Sequence, residues 1–275
     1  MMKNTFAILA LSCLLVFSAC KKSEVETNVD KTEKNLHKNF TIDSVKVNDS
    51  IQLSDSLKVR FFSKMLVFPG IKDRKLLDSI YFGDKNIRAF SKAGLQALLE
   101  KRKNDYFNKA RKDSKDFLSD LTFSQEWYSD TGMNVKSNIN DYLHIQYVWG
   151  SYEGGAHDNY GFSERVFDLK NNKKVELKDI TSLSESKLQG LLMKNINKIN
   201  SDTTDGNGQV NNSEMLLVEV IPVTENFYFD GKSLYFHYSP YEIAAFAAGD
   251  ITIPVSWQEL QGTLNPAFKE RMKIN

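Results

Sequence analysis

The stretch that decides the fold is Asp141-Tyr-Leu-His-Ile-Gln-Tyr-Val-Trp149. Successive side chains of an extended chain point to opposite faces, so Leu143, Ile145, Tyr147 and Trp149 share one face and His144, Gln146 and Val148 the other. These aromatic and β-branched residues suit a pleated, half-buried surface. Outward from it, Phe117 to Lys136 reads as the preceding strand and Tyr160 to Leu169 as the following one. Asn171-Asn172 then turns into Val175-Glu-Leu177 and closes a hairpin.

The same alternation begins at Ile42, Val45 and Val47 and resumes at Leu57, Val59 and Phe61, which predicts paired strands turning at Asn48-Asp49 and ending at Pro69-Gly70. Between Asn86 and Ser114, Ile87, Phe90, Leu95, Leu98, Leu99, Tyr106 and Phe107 recur at three- and four-residue steps, the pattern of an amphipathic helix with a core-facing stripe. Thr181 to Ser184 offers capping hydroxyls to a second helix lined by Leu188, Leu191, Leu192, Ile196 and Ile199. Asp202 to Asn212 is a polar loop, Phe227–Phe229 and Leu234–Tyr238 form a hairpin, Ile251 to Pro254 is a strand, and Ser256 caps a short helix through Leu264. Strands in succession with a few helices give an α+β fold: a mainly antiparallel sheet covered by helices, in two closely associated lobes, 41–150 and 151–265.

The chain starts as an exported protein does. Lys3 precedes an apolar run from Phe6 to Phe17 that is too short to span a bilayer, and Ser18-Ala19-Cys20 resembles a bacterial lipobox. The expectation is a signal peptide over 1–19, lipidation at Cys20, a flexible polar spacer over 20–40, and a membrane-anchored protein of the periplasm or cell surface. Cys13 falls within the signal, so Cys20 is the sole mature cysteine and no disulfide framework is available. The formal net charge of +1 argues against a nucleic-acid binder. Its distribution is uneven: residues 201–250 hold eight acids against Lys232, and residues 85–116 hold ten bases against four acids. Either these halves neutralise each other, or the acidic stretch is a face that steers a cationic partner.

No Gly-x-Ser-x-Gly elbow, His-Glu-x-x-His or phosphate-cradling glycine loop occurs. The histidines, His37, His144, His157 and His237, lack the three- or four-residue spacing of helical metal ligands, and the segment around Asp202–Gly208 lacks the carboxylates of a calcium loop. No metal and no cofactor is expected. Two stretches look instead like recognition surface. Tyr152-Glu-Gly154-Gly155-Ala156-His157-Asp158-Asn159-Tyr160 joins backbone freedom to polar and aromatic side chains, and Pro240-Tyr241-Glu242 reads as a rigid turn that projects an aromatic ring and a carboxylate.

Gly154-Gly-Ala-His157-x-Asn159-Tyr160-Gly161-Phe162, Phe167-Asp-Leu-Lys170, Leu177-Lys-Asp179, Asn226-Phe-Tyr228 and Pro240-Tyr-Glu-Ile243, with Ala248-Gly249 and Ile253-Pro254, carry a resemblance. Together they resemble the extracellular domain shared by the lysozyme-sensing anti-sigma-V factor and a peptidoglycan deacetylase. The resemblance is strongest over 151–265, and residues 41–150 look like the companion domain of unknown function that precedes it. It implies recognition rather than chemistry, with a lysozyme-like protein or a peptidoglycan fragment as partner. Tyr241 would be the anchor, and Glu242 and Asp158 the charge contacts. The alternatives are an envelope hydrolase using His157 with Glu242, and a structural component of an outer-membrane assembly.

Overall fold

The computed structural model describes residues 41–206 and 208–275. The expected signal peptide, Cys20 and the spacer lie outside the described residues. Strands β1 (Asp43–Ser54) and β2 (Leu57–Val67) pair antiparallel about a turn at Asp55-Ser56. Asn48 and Asp49 therefore do not turn the chain; they lie within β1, opposite Phe62 and Phe61. β1 is an edge strand, where exposed polar side chains are tolerated, and Asp49 is held by Lys103 at 3.1 Å.

Two helices follow, α1 (Arg74–Ile80) and α2 (Lys92–Ser114), capped by the side chains of Asp73 and Ser91. α2 begins later than the apolar periodicity suggests, because Asn86 closes a local turn on the Asp84 carboxylate. Its stripe of Leu95, Leu98, Leu99 and Phe107 is buried against the sheet, as expected of a core helix. Its bases pair with Asp43, Asp49, Asp84 and Glu153, which come from outside the acidic 201–250 stretch.

β3 (Gln125–Ile139) runs parallel to β2, and β4 (Tyr142–Tyr152), β5 (Asn159–Asp168) and the two-residue β6 (Lys173–Lys174) continue antiparallel in the order β1-β2-β3-β4-β5-β6. β3 starts at Gln125 rather than Phe117, because Phe117 leaves the sheet plane to pack on Trp127 at 5.6 Å. β4 runs through residues 150 and 151, and its partner β5 belongs to the same sheet.

The expected strand at Val175–Leu177 is replaced by α3 (Leu177–Ile180). Glu176 and Asp179 exchange side-chain and backbone hydrogen bonds as a capping box, which ends the hairpin after β6. α4 (Glu185–Asn195) follows, then a small hairpin of β7 (Thr204–Asp205) and β8 (Gly208–Gln209). β9 (Phe227–Phe229), β10 (Ser233–Tyr238) and β11 (Ile251–Ser256) form a second antiparallel sheet in the order β11-β10-β9. Ser256 does exchange hydrogen bonds with Glu259, but successive turns follow in place of the expected helix. The regular helix, α5 (Pro266–Met272), comes later, opened by the Asn265 cap and a proline at its first turn, where no amide hydrogen is needed.

Two apolar cores result. Leu143, Ile145 and Phe167 face α1 and α2, while Tyr142 and Val166, on the opposite face of the same strands, join the core built by the second sheet, α4 and α5. The architecture is α+β and mainly antiparallel, with its helices shared between the two cores.

Candidate functional site

The face of β5 that carries Tyr160, Phe162 and Glu164 lies at the centre of the site, and Trp149 of β4 reaches it from the opposite face. Cross-strand register sets Gly150, Val148 and Gln146 opposite these three residues, so they point toward the second sheet. Among the described residues, the outer edge of β5 has the two-residue β6 as its only strand, paired further along, at Phe167 and Asp168. Its backbone is satisfied by side chains instead: the Phe162 amide donates to Ser239 Oγ at 2.9 Å, and the Glu164 amide donates to Asn226 Oδ1. Asn226 Nδ2 in turn donates to the carbonyls of Phe162 and His237, at 3.2 and 2.7 Å. One asparagine thus knits the two sheets together, and leaving its buried backbone partners unmet would cost about 1–3 kcal/mol each.

The two sequence stretches singled out above meet at the exposed end of this face. Gly154 and Gly155 adopt φ of 96° and 114°, conformations that a residue with a Cβ resists, and they fold the loop back so that the Tyr152 hydroxyl donates to the Gly155 carbonyl at 3.0 Å. The Tyr128 hydroxyl donates to Asp158 at 2.6 Å, and burial together with this bond pushes Tyr128 up to about 12. His157 stacks on Phe246 with ring centroids 4.0 Å apart, and its Nε2 lies 3.2 Å from the Tyr241 hydroxyl. Nδ1 faces the Asp158 carbonyl at 2.6 Å and must carry the hydrogen, so in the neutral ring Nε2 accepts from Tyr241. His157 is thereby engaged by Tyr241 and the backbone rather than by Glu242, whose carboxylate accepts from the Ser239 amide at 2.8 Å and closes its own turn.

Tyr241 sits at φ 69° and is 57% exposed. Such a conformation is disfavoured for a bulky residue, and here the turn imposes it: the Tyr241 amide donates to Ala244 O and the Glu242 amide to Ser239 O, both at 3.1 Å. Beside it, Trp149, Tyr160, Phe162, Tyr241 and Phe246 line a pocket of about 240 Å³ that also exposes Glu242. Trp149 reaches this rim because it lies over Gly161; a Cβ there would meet the indole at 2.7 Å.

Behind the aromatic surface is a buried array that sequence reasoning did not assemble. Glu164, 1% exposed, accepts from His144 Nε2 at 2.6 Å, from His237 Nδ1 at 2.9 Å and from Gln146 at 2.7 Å. The other nitrogen of His237 faces Asp250 at 2.9 Å. A ring held between two carboxylates must donate from both nitrogens, which makes it an imidazolium. Burial alone would lower His237, but its hydrogen bonds to Asp250 and Glu164 raise it to about 9. Burial likewise pushes Glu164 up, and the bonds from His144 and His237 outweigh this and hold it at about 2. Tyr228 stacks on His144 and Phe162 on His237. Among the described residues, no group of three or more His, Cys, Asp or Glu side chains is arranged to hold a metal ion.

The pair of His237 and Asp250 has a second role. The two residues flank the segment 238–249, which carries Tyr241, Glu242 and Phe246, so their ion pair closes the base of the exposed turn. The sequence signal for this array was weak: His144 and Gln146 interrupt the apolar run of β4, while Glu164 lies between Ser163 and Arg165 in a strand of mixed polarity.

Fold and site together define a mixed α+β protein that presents an aromatic surface turn on a buried, charge-paired base. Residues 169–258 match the family described as protein of unknown function (DUF3298). The matched segment includes the Pro240–Glu242 turn and the second sheet; the 152–160 loop precedes it. A crystal structure of a DUF3298 family member from Bacteroides fragilis aligns with a TM-score of 0.70 at 21% identity, over 86% of this chain and 98% of that one. A DUF3298 family protein from Pseudomonas aeruginosa aligns with a TM-score of 0.51 at 15% identity, over 83% and 96%. These are likenesses of fold. No curated protein matches the chain.

Proposed function

We propose that this chain is a non-catalytic, lipid-anchored protein of the bacterial cell envelope that recognises a partner through the 152–160 loop and the 240–242 turn, with a lysozyme-like muramidase as that partner. The observation that carries this reading is the meeting of two segments some eighty residues apart at one exposed aromatic surface, where Tyr241 is held projecting in a strained backbone conformation. Residues in unfavourable backbone conformations concentrate at functional sites, and exposed tyrosines fixed by a turn offer large contact area at low entropic cost. The resemblance to the lysozyme-sensing domain and the acidic 201–250 stretch support a basic protein partner, as C-type lysozymes are basic. The lipobox-like Ser18-Ala19-Cys20 supports the anchor.

Isothermal calorimetry of the purified protein against a C-type lysozyme tests the reading. The expected result is saturable binding that Tyr241→Ala weakens at least tenfold while the variant stays folded. Absence of heat with lysozyme, alongside saturable binding of soluble peptidoglycan fragments, would move the partner from protein to glycan.

A further inference from the structure

The pocket beside Tyr241 has a chemistry of its own. Its walls are aromatic, from Trp149, Tyr160, Phe162, Tyr241 and Phe246, and among the described residues the only formally charged side chain that lines it is Glu242. Trp149 is 48% exposed and Tyr241 57%, so both rings remain open to a ligand. One carboxylate oxygen of Glu242 is occupied by the Ser239 amide, and the other makes no hydrogen bond among the described residues. The volume of about 240 Å³ is below the roughly 300–1,000 Å³ of pockets that enclose a drug-sized ligand, which fits one side chain rather than an extended molecule.

Aromatic faces carry negative potential and attract cations, most strongly at tryptophan and tyrosine, and a carboxylate at the rim adds directional charge. We infer that this pocket is a receptor for a single basic side chain, an arginine or lysine projected by the protein partner. The inference rests on the recognition reading above and specifies the partner residue that the surface accepts. A guanidinium or ammonium group enters between the rings, pairs with Glu242, and leaves its alkyl stem on Pro240 and the ring edges. The carboxylates of Asp158 and Glu153 lie on the adjoining loop, where Tyr128 and Lys109 respectively hold them. They add to the negative character of the approach without lining the pocket.

The test is an NMR titration of the full chain with Nα-acetyl-arginine amide and Nα-acetyl-lysine amide, using Nα-acetyl-citrulline amide as the neutral control of matching shape and reading the Trp149 indole and Tyr241 ring signals. The expected result is saturable shifts with the cationic amides, at least fivefold weaker binding of citrulline, and a comparable loss in Glu242→Gln. Glutamine keeps an oxygen for the Ser239 amide, so the turn survives this change. Equal response to citrulline, or an unchanged response in Glu242→Gln, overturns the inference. So does a response of the same signals to a dimer of N-acetylglucosamine but not to the arginine amide. Lysozyme calorimetry on the same samples separates the two readings. Binding of lysozyme that is insensitive to Glu242→Gln keeps recognition and removes the cation pocket. Saturation by arginine amide without lysozyme binding keeps the pocket and removes the muramidase.

Discussion

The hydroxyl of Tyr241 meets Nε2 of His157 at 3.2 Å and so ties a turn between two strands of the second sheet to a glycine loop between two strands of the first. The tyrosine is held there at φ 69°, at a cost of about 1–2 kcal/mol for an L-residue in the left-handed region. Tyr241→Gly removes that cost together with the ring. The expected outcome is a protein at least as thermostable as the wild type, by calorimetric unfolding, that has lost about 2 kcal/mol or more of partner binding. A variant that is destabilised and still binds would show that Tyr241 serves the fold alone. Tyr241→Phe separates the hydroxyl from the ring and should leave binding closer to wild type.

The buried array predicts a stability effect of opposite character. Glu164 is the hub that both histidines share, so Glu164→Gln leaves the His237 imidazolium with Asp250 alone in a site where Glu164 itself is 1% exposed. Breaking a buried ion pair from one side costs on the order of 3–5 kcal/mol. Urea denaturation should show a loss of that order, with the unfolding slope unchanged. Replacement of His144, Glu164 and His237 together by apolar residues should recover part of it, since buried charge networks are weak sources of net stability when intact.

The same array sets a pH window. His237 is raised in the folded state from 6.5 to about 9, so its contribution is fully present below 6.5 and is lost as pH rises through about 9. Glu164 is lowered from 4.5 to about 2, so its contribution is present above 4.5 and is lost as pH falls toward about 2. The joint is therefore strongest between 4.5 and 6.5. Unfolding free energy should fall by on the order of 2–3 kcal/mol from about pH 6 to about pH 9.5, below the range in which the buried tyrosines ionise. In His237→Gln this decline should flatten; a decline of unchanged size would assign it to other groups.

The strands of the main sheet were legible because alternation in Asp141–Trp149 and in Leu57–Phe61 is a local property that the fold preserves, and so was the core-facing stripe of α2. Boundaries were not. Asn48-Asp49 looks like a turn until the neighbouring helix supplies Lys103 as a partner, and Val175–Leu177 looks like a strand until Glu176 and Asp179 cap each other. The 152–160 loop and the 240–242 turn were legible as separate compositions, whereas their meeting depends on pairing between β4 and β5 and on Ser239 docking at the edge of β5. The buried array was the least legible. Its buried members lie at 144, 164 and 237, with the exposed Asp250 at its edge, and nothing local distinguishes a strand histidine bound to a distant glutamate from one facing solvent.

Gly161 gives the sharpest local test of the aromatic surface. It lies opposite Trp149 in the register of β4 and β5, and a Cβ built on it would meet three atoms of the indole at 2.7 to 2.9 Å, closer than real contacts allow. Its value here is this close approach, which lets the ring lie flat on the strand and reach the pocket rim. Gly161→Ala must lift the indole or shift the strand, and overpacking of this kind costs about 1–3 kcal/mol where the surroundings are fixed. Trp149 is half exposed and free to swing outward, so the expected stability loss falls at the lower end of that range. The effect on recognition should be larger. With Trp149 displaced, one wall of the pocket opens, and binding of partner should weaken at least tenfold while the far-ultraviolet circular dichroism is unchanged. Trp149→Ala in the Gly161 background should weaken binding equally, and adding Gly161→Ala to it should have no further effect, because the residue with which the methyl group collides is gone. A further loss in the double variant would place the importance of Gly161 in the strand itself rather than in the ring it supports.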